Sequence, residues 1–179
     1  MKPNFSYFYL LLIFITFLAI TATNLIIQET CRKCAHNDPN IHYSFCVASL
    51  QSSPDAHCAN NLRQLGIISL KLTRLNVTDT RHNIKDLLKN KRLDSSLRSC
   101  LNDCFDLYSD AIPTIKQAIK DYNSNHYEDV NIAVSAVTDA STTCEDGFKE
   151  IGIVSPLTGR NNNTFELSAI ALSIINMLH

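Results

Sequence analysis

The chain has 179 residues, 45% hydrophobic and 18% charged, with 16 basic against 17 acidic side chains. That balance suits one globular domain and excludes a disordered chain or tandem domains. With no basic run longer than Lys89, Lys91 and Arg92, it also sets aside nucleic acid and anionic membrane surfaces as partners. Only 4 Gly and 5 Pro leave too little turn chemistry for a many-stranded sheet, so an all-α fold is predicted.

From Pro3 to Gln28 no residue is charged. Lys2 precedes an apolar stretch, Tyr7 to Ile20, that gives way to the small polar run Thr21, Ala22, Thr23, Asn24. This pattern predicts a secretory leader over residues 1–23 and a mature domain over 24–179. An uncleaved anchor is the rival reading, but spanning a bilayer needs about 20 strongly apolar residues and the polar run interrupts them.

Next, Leu25 to Ala35 and Ile41 to Leu50 read as two short helices joined at Asn37-Asp38-Pro39-Asn40, a helical hairpin over 24–52. Helices this short are marginal alone in water, so the hairpin needs a clamp. A bundle follows over 55–179. Its first helix is expected from Asp55 to Asn90, with Leu62, Leu65, Ile68, Leu72 and Leu75, then Ile84, Leu87 and Leu88 facing inward and a polar middle from Asn76 to Asn83. In the second, Leu97, Leu101, Cys104, Tyr108, Ala111, Ile115, Ala118 and Tyr122 step alternately by four and three, the seam of a helix packed on near-parallel neighbours. Pro113 lies inside this helix, where a kink is expected.

Tyr127, Val130, Val134, Val137, Ser141, Cys144 and Phe148 repeat the pattern after the four-residue link Asn123 to His126, so the two form an antiparallel pair. A last helix, carrying Phe165, Leu167, Ile170, Ala171, Ile174 and Met177, is expected to start at a cap on Asn163 or Thr164. Four helices with short links make an up-down-up-down bundle.

Seven cysteines in an oxidising compartment predict bridges with at least one thiol left over. Facing residues of an antiparallel hairpin lie equally far from its turn. The midpoint of Cys104 and Cys144 falls on Ser124, inside the proposed link, and that of Cys31 and Cys46 falls between Asp38 and Pro39. Cys34 with Cys46 is a weaker competitor to the second pair. Cys34 with Cys58 is a possible third bridge, and Cys100 is expected as a buried thiol. Two sequons outside the leader, at Asn76 and Asn162, are candidate glycosylation sites.

No nucleophile elbow, phosphate-binding glycine loop or paired-histidine zinc motif occurs. Cys31-Arg32-Lys33-Cys34 lacks the second ligand pair that a zinc site needs. No cofactor, metal or catalytic residue is therefore assigned, and the chain reads as a binding protein rather than an enzyme. Six histidines, at 36, 42, 57, 82, 126 and 179, are scattered singly, and Asp103, Asp106 and Asp110 follow one helical face.

Several blocks carry a family resemblance: Thr30-Cys31 with Tyr43-Ser44-Phe45-Cys46, Leu65-Gly66-Ile67-Ile68-Ser69, Leu101-Asn102-Asp103-Cys104 with Leu107-Tyr108-Ser109-Asp110-Ala111, Thr143-Cys144-Glu145-Asp146-Gly147-Phe148, and the Leu167 to Leu178 pattern. The sequence resembles the plant invertase and pectin methylesterase inhibitors across the mature chain. Ile153-Val154-Ser155-Pro156-Leu157-Thr158 is closest to their pollen-allergen-like group.

The resemblance implies a hairpin plus four-helix bundle with the same two bridges. It also implies a secreted, non-catalytic protein of the apoplast or cell wall, otherwise monomeric, that occludes the active site of acid invertase in a one-to-one complex. Pectin methylesterase inhibition and a non-inhibitory allergen-like scaffold are the alternatives. Invertase inhibitors of known mode carry a Pro-Lys-aromatic plug where this chain has Asp94-Ser95-Ser96-Leu97-Arg98, so the plug is absent and only Asp94 and Arg98 remain as charged candidates. The pectin methylesterase mode, which uses the second and third bundle helices, makes Asp106, Asp110, Asn131, Ser135 and Thr138 candidate partner contacts.

Overall fold

The computed structural model describes residues 5–178, with side chains described from Asn24 onward and, before it, for Leu11, Ile13 and Phe14. These residues form α1 (Phe5–Asn37), α2 (Tyr43–Ser52), a 3-10 turn (Pro54–Cys58), α3 (Leu62–Leu88), α4 (Ser95–Asn123), α5 (Tyr127–Glu150) and α6 (Thr158–Asn176). In the bundle, α4 packs on α3 and α5, and α6 packs on α3 and α5, with no close backbone approach across either diagonal among the described residues. Four helices closed into a square around one core follow from that pattern.

The α4 and α5 seams are the core. Leu101, Cys104, Tyr108, Ala111, Ile115, Ala118 and Tyr122 are buried against Val130, Val134, Val137, Cys144 and Phe148. Each large aliphatic or aromatic side chain removed from water in this way contributes roughly 1.5–3 kcal/mol. Cys104 and Cys144 are bonded, with Cα atoms 4.9 Å apart. In the chain-entropy picture a loop of that length is worth about 4 kcal/mol. The helix runs unbroken past Pro113, which sits on the exposed side.

The other two seams bury most of the expected apolar residues, Leu65, Ile68 and Ile84 on α3 and Leu167, Ile170, Ala171 and Ile174 on α6, and add polar ones that the sequence pattern did not place inside. On α3 the inward stripe is Gly66, Leu70, Thr73, Val77, Thr80 and Ile84, while Leu75 is 54% exposed and Leu72 only half-buried. Of the expected polar middle, Asn76 to Asn83, Val77 and Thr80 turn inside while Asp79 and His82 stay exposed. Buried Thr73 donates its hydroxyl to Ser69 O (3.0 Å), so burial does not leave that hydroxyl unpaired. Nor does α3 reach back to Asp55. Pro54 opens the separate 3-10 turn, capped by Ser53 Oγ, and Asn61 Oδ1 accepts from Gln64 N (2.9 Å) to start α3 at Leu62.

Helix α6 begins at Thr158, several residues before the expected Asn163 or Thr164 cap. Asparagine is a poor helix former, but Asn161 and Thr164 are buried and hydrogen-bonded here, so tertiary partners override propensity.

The N-terminal hairpin packs one end of this bundle. Cys31 and Cys46 are bonded, with Cα atoms 5.6 Å apart. Ile27, Leu50, Leu65, Ile68, Ile170 and Ile174 form a second core that joins α1 and α2 to α3 and α6. Glu166 of α6 ties the joint further, its carboxylate accepting from the His42 backbone N–H (2.7 Å) at the start of α2. No Gly or Pro interrupts residues 5–37, and α1 is one helix rather than a short segment from Leu25. Residues 1–4 of the leader expected over residues 1–23 lie outside the described residues, and its remainder forms the first part of α1. Cys34 and Cys58 are unpaired, one buried and one exposed, so the third bridge considered from sequence is not formed; Cys100 is a buried thiol.

Candidate docking surface

With the apolar faces of α4 and α5 turned inward, their outer faces leave an open groove of about 620 Å³. Asp103, Asp106 and Asp110 project into it from α4 and Asp146 and Glu150 from α5. All five are exposed, and none of the residues lining the groove is basic. Lys149 pairs with Asp146 from outside the groove (2.7 Å). Like charges gathered on helices are tolerated because water solvates each one, yet together they project a negative field from one face. The Cys104–Cys144 bridge forms part of the lining, so the two helices cannot separate there.

The structure divides the remaining candidates. Asp106 and Asp110 stand in the groove, and Ser135 is exposed on α5. Asn131 is half-buried and donates from Nδ2 to Asn176 Oδ1 (2.9 Å), and Thr138 donates to Val134 O (3.1 Å), so both serve packing within α5 and against α6. Asp94 caps α4, accepting from Ser96 N (2.8 Å) and Leu97 N. Those backbone donors hold its carboxyl below the ordinary carboxylate range. Arg98 donates to Leu88 O (3.1 Å) and Asn90 O (2.6 Å), satisfying the orphan carbonyls at the C-terminus of α3. The segment that stands in place of a plug is thus a fixed joint between α3 and α4.

Asn162 is exposed on the first turns of α6, whereas Asn76 is half-buried, with Oδ1 accepting from Thr164 Oγ1 (2.6 Å). Among the described residues no three His, Cys, Asp or Glu side chains are grouped so that they could hold a metal ion.

Behind the groove a polar network fixes α5 against α3, α4 and α6. Tyr108 donates to Asn161 Oδ1 (2.7 Å), Asn161 Nδ2 donates to Glu145 Oε2 (2.7 Å), and Thr158 donates to Glu145 Oε1 (2.6 Å). Burial pushes the Tyr108 phenol up to about 12. For Glu145, burial opposes the charge, but donors from Thr158, Asn161 and Ser155 and the nearby Lys149 together outweigh it and hold the carboxyl below its ordinary range. A depressed carboxyl contributes stability in full above its unfolded value and loses it as pH falls through the folded one. Glu145→Gln should therefore cost about 1 kcal/mol at pH 7 and flatten the acid limb of stability, read from urea unfolding between pH 7 and 3.

Sequence reasoning did not bring Asp146 and Glu150 into this groove. The midpoint rule used for the cysteines would have found the first, because Asp103 and Asp146 also centre on the link at Ser124 and Asn125.

The fold is that of a disulfide-stapled four-helix bundle preceded by a helical hairpin, with an acidic groove on one face. The sequence model of the plant invertase/pectin methylesterase inhibitor family matches residues 25–174, and the chain belongs to that family. Its members inhibit enzymes and are not themselves catalysts. A Platanus acerifolia protein named "Putative invertase inhibitor" is 44% identical over 86% of this chain and 85% of its own length. Pectinesterase inhibitor 12 of Arabidopsis thaliana is 34% identical over 94% of this chain and 97% of its own. The crystal structure of a mutant form of an Arabidopsis pectin methylesterase inhibitor superposes with a TM-score of 0.67 at 26% identity, covering 75% of this chain and 89% of that one.

Proposed function

We propose that this chain is a secreted inhibitor of a plant cell-wall carbohydrate-active enzyme, acid invertase before pectin methylesterase, and that it seats its α4/α5 face over the active-site cleft in a one-to-one complex. The observation that carries this reading is the open, bridge-fixed acidic groove between α4 and α5. A stable complex needs about 800 Å² from each partner, which two helices of 29 and 24 residues supply. Rigidity keeps the ordering cost of docking low. The name of the Platanus relative favours invertase, while the fixed Asp94–Arg98 joint and the solved neighbour favour the pectin methylesterase mode. Secretion into the apoplast or cell wall after removal of residues 1–23 completes the reading, with the exposed Asn162 better placed than Asn76 to carry a glycan.

Purified mature protein titrated against acid invertase and against pectin methylesterase should abolish the activity of one of them at a molar ratio near one. Full activity of both at a large excess of this protein would leave only the non-inhibitory scaffold reading.

A further inference from the structure

At the end of the bundle that carries the link between α5 and α6, two aliphatic side chains stand in water. Val154 is 90% exposed and Ile151 47%. The link itself is anchored. Gly152, at φ +69°, turns the chain out of α5, and Ile153 N donates to Phe148 O (3.0 Å). On the far side, Ser155 and Leu157 are buried, and Ser155 Oγ accepts from Leu157 N (3.1 Å). Val154 is therefore held outward by fixed backbone on both sides.

This knob adjoins the groove, since Ile151 directly follows Glu150, the terminal carboxylate of the set that runs through Asp146, Asp103, Asp106 and Asp110. An outward aliphatic knob beside a one-sign groove complements a partner with an apolar recess flanked by a cationic strip. In the other loop at this end, Asp94 and Arg98 are consumed in holding α3 to α4.

We propose that Val154, backed by Ile151, is the inserting element of this inhibitor, and that its target enzyme meets the α4/α5 carboxylates with a basic strip at the mouth of its cleft. This rests on the inhibitor reading above and adds to it the residues that select the target.

The test measures affinity, by calorimetry and by inhibition, for whichever of acid invertase and pectin methylesterase the mature protein inhibits. It compares the parent with Ile151→Ser/Val154→Ser, with Asp106→Lys/Asp110→Lys, and with Asp79→Lys as a control at an exposed position of α3. The apolar pair should weaken binding about thirtyfold and the charge reversal about a hundredfold, with the control within about twofold. Raising NaCl from about 50 to about 500 mM should weaken the parent roughly tenfold and leave the charge-reversed variant unchanged. All the changed side chains are exposed, and melting curves check that each variant folds. Parent-like affinity in both double variants would overturn this footprint and leave the inhibitor reading standing. A control as weak as the charge reversal would assign the effect to net charge and also overturn it. A parent that binds neither enzyme overturns both.

Discussion

Replacing Gly66 by alanine should destabilise the protein by about 3 kcal/mol, although alanine is the better helix former by roughly 1 kcal/mol. A Cβ at this position would lie 2.2 Å from Tyr122 Oη and 2.8 Å from Cζ. The tyrosine cannot swing aside cheaply. It is 1% exposed, its hydroxyl donates to Arg63 O (2.7 Å), and its ring packs edge-on against Tyr127 at 5.5 Å. Either α3 moves away from α4 or that hydroxyl loses its partner, and each costs more than the propensity returns. Because the nearest clash is with the hydroxyl oxygen, Gly66→Ala/Tyr122→Phe should recover about 1 kcal/mol relative to Gly66→Ala alone. Urea unfolding of the four-member cycle reads both numbers. Equal stability of Gly66→Ala and the parent would mean that α3 and α4 are not packed this closely.

Asn161→Leu should cost about 4 kcal/mol, the largest effect of any single change considered. The side chain is 2% exposed and bonds to both Tyr108 and Glu145. Leucine fills the space but deprives the buried phenol of the nearer of its two acceptors, leaving Thr164 Oγ1 at 3.2 Å, and the carboxylate of a donor. Asn161→Asp separates shape from charge. It keeps an acceptor for Tyr108 but sets a second carboxylate against Glu145, so it should be strongly destabilising at pH 7 and recover toward pH 4 as the pair takes up a proton. Unfolding at the two pH values distinguishes a polar link from simple packing. A pH-independent loss for Asn161→Asp would rule out the contact with Glu145.

These two residues also mark the limits of what could be read in the chain. Leu101 through Tyr122 and Val130 through Phe148 are almost all apolar on a four-three step, and such a stripe has one stable fate in water. The bridges of Cys31 with Cys46 and Cys104 with Cys144 followed from the same geometry, because antiparallel helices tie distance along the chain to position across it. On α3 and α6 the same step exists, but Gly66, Thr73, Thr80, Asn161, Thr164 and Ser168 occupy it. A hydroxyl or amide in a sequence carries no sign of whether a partner awaits it, so the pattern finds Leu65, Ile68 and Ile84 but not the buried threonines beside them, places exposed Leu75 inside, and misses the first turns of α6.

The sequence by itself determined an all-helical chain, the α4/α5 seam, two covalent staples and the absence of a plug, since each depends on local periodicity or on distance from a turn. Only the tertiary structure decided which polar residues are interior, that Asp94 and Arg98 serve a joint, and that five carboxylates on two helices share one groove beside Val154. Those facts depend on how two helices are rotated against each other. That rotation is set by the close approach at Gly66 and the bonds of Asn161, contacts between residues far apart in the chain.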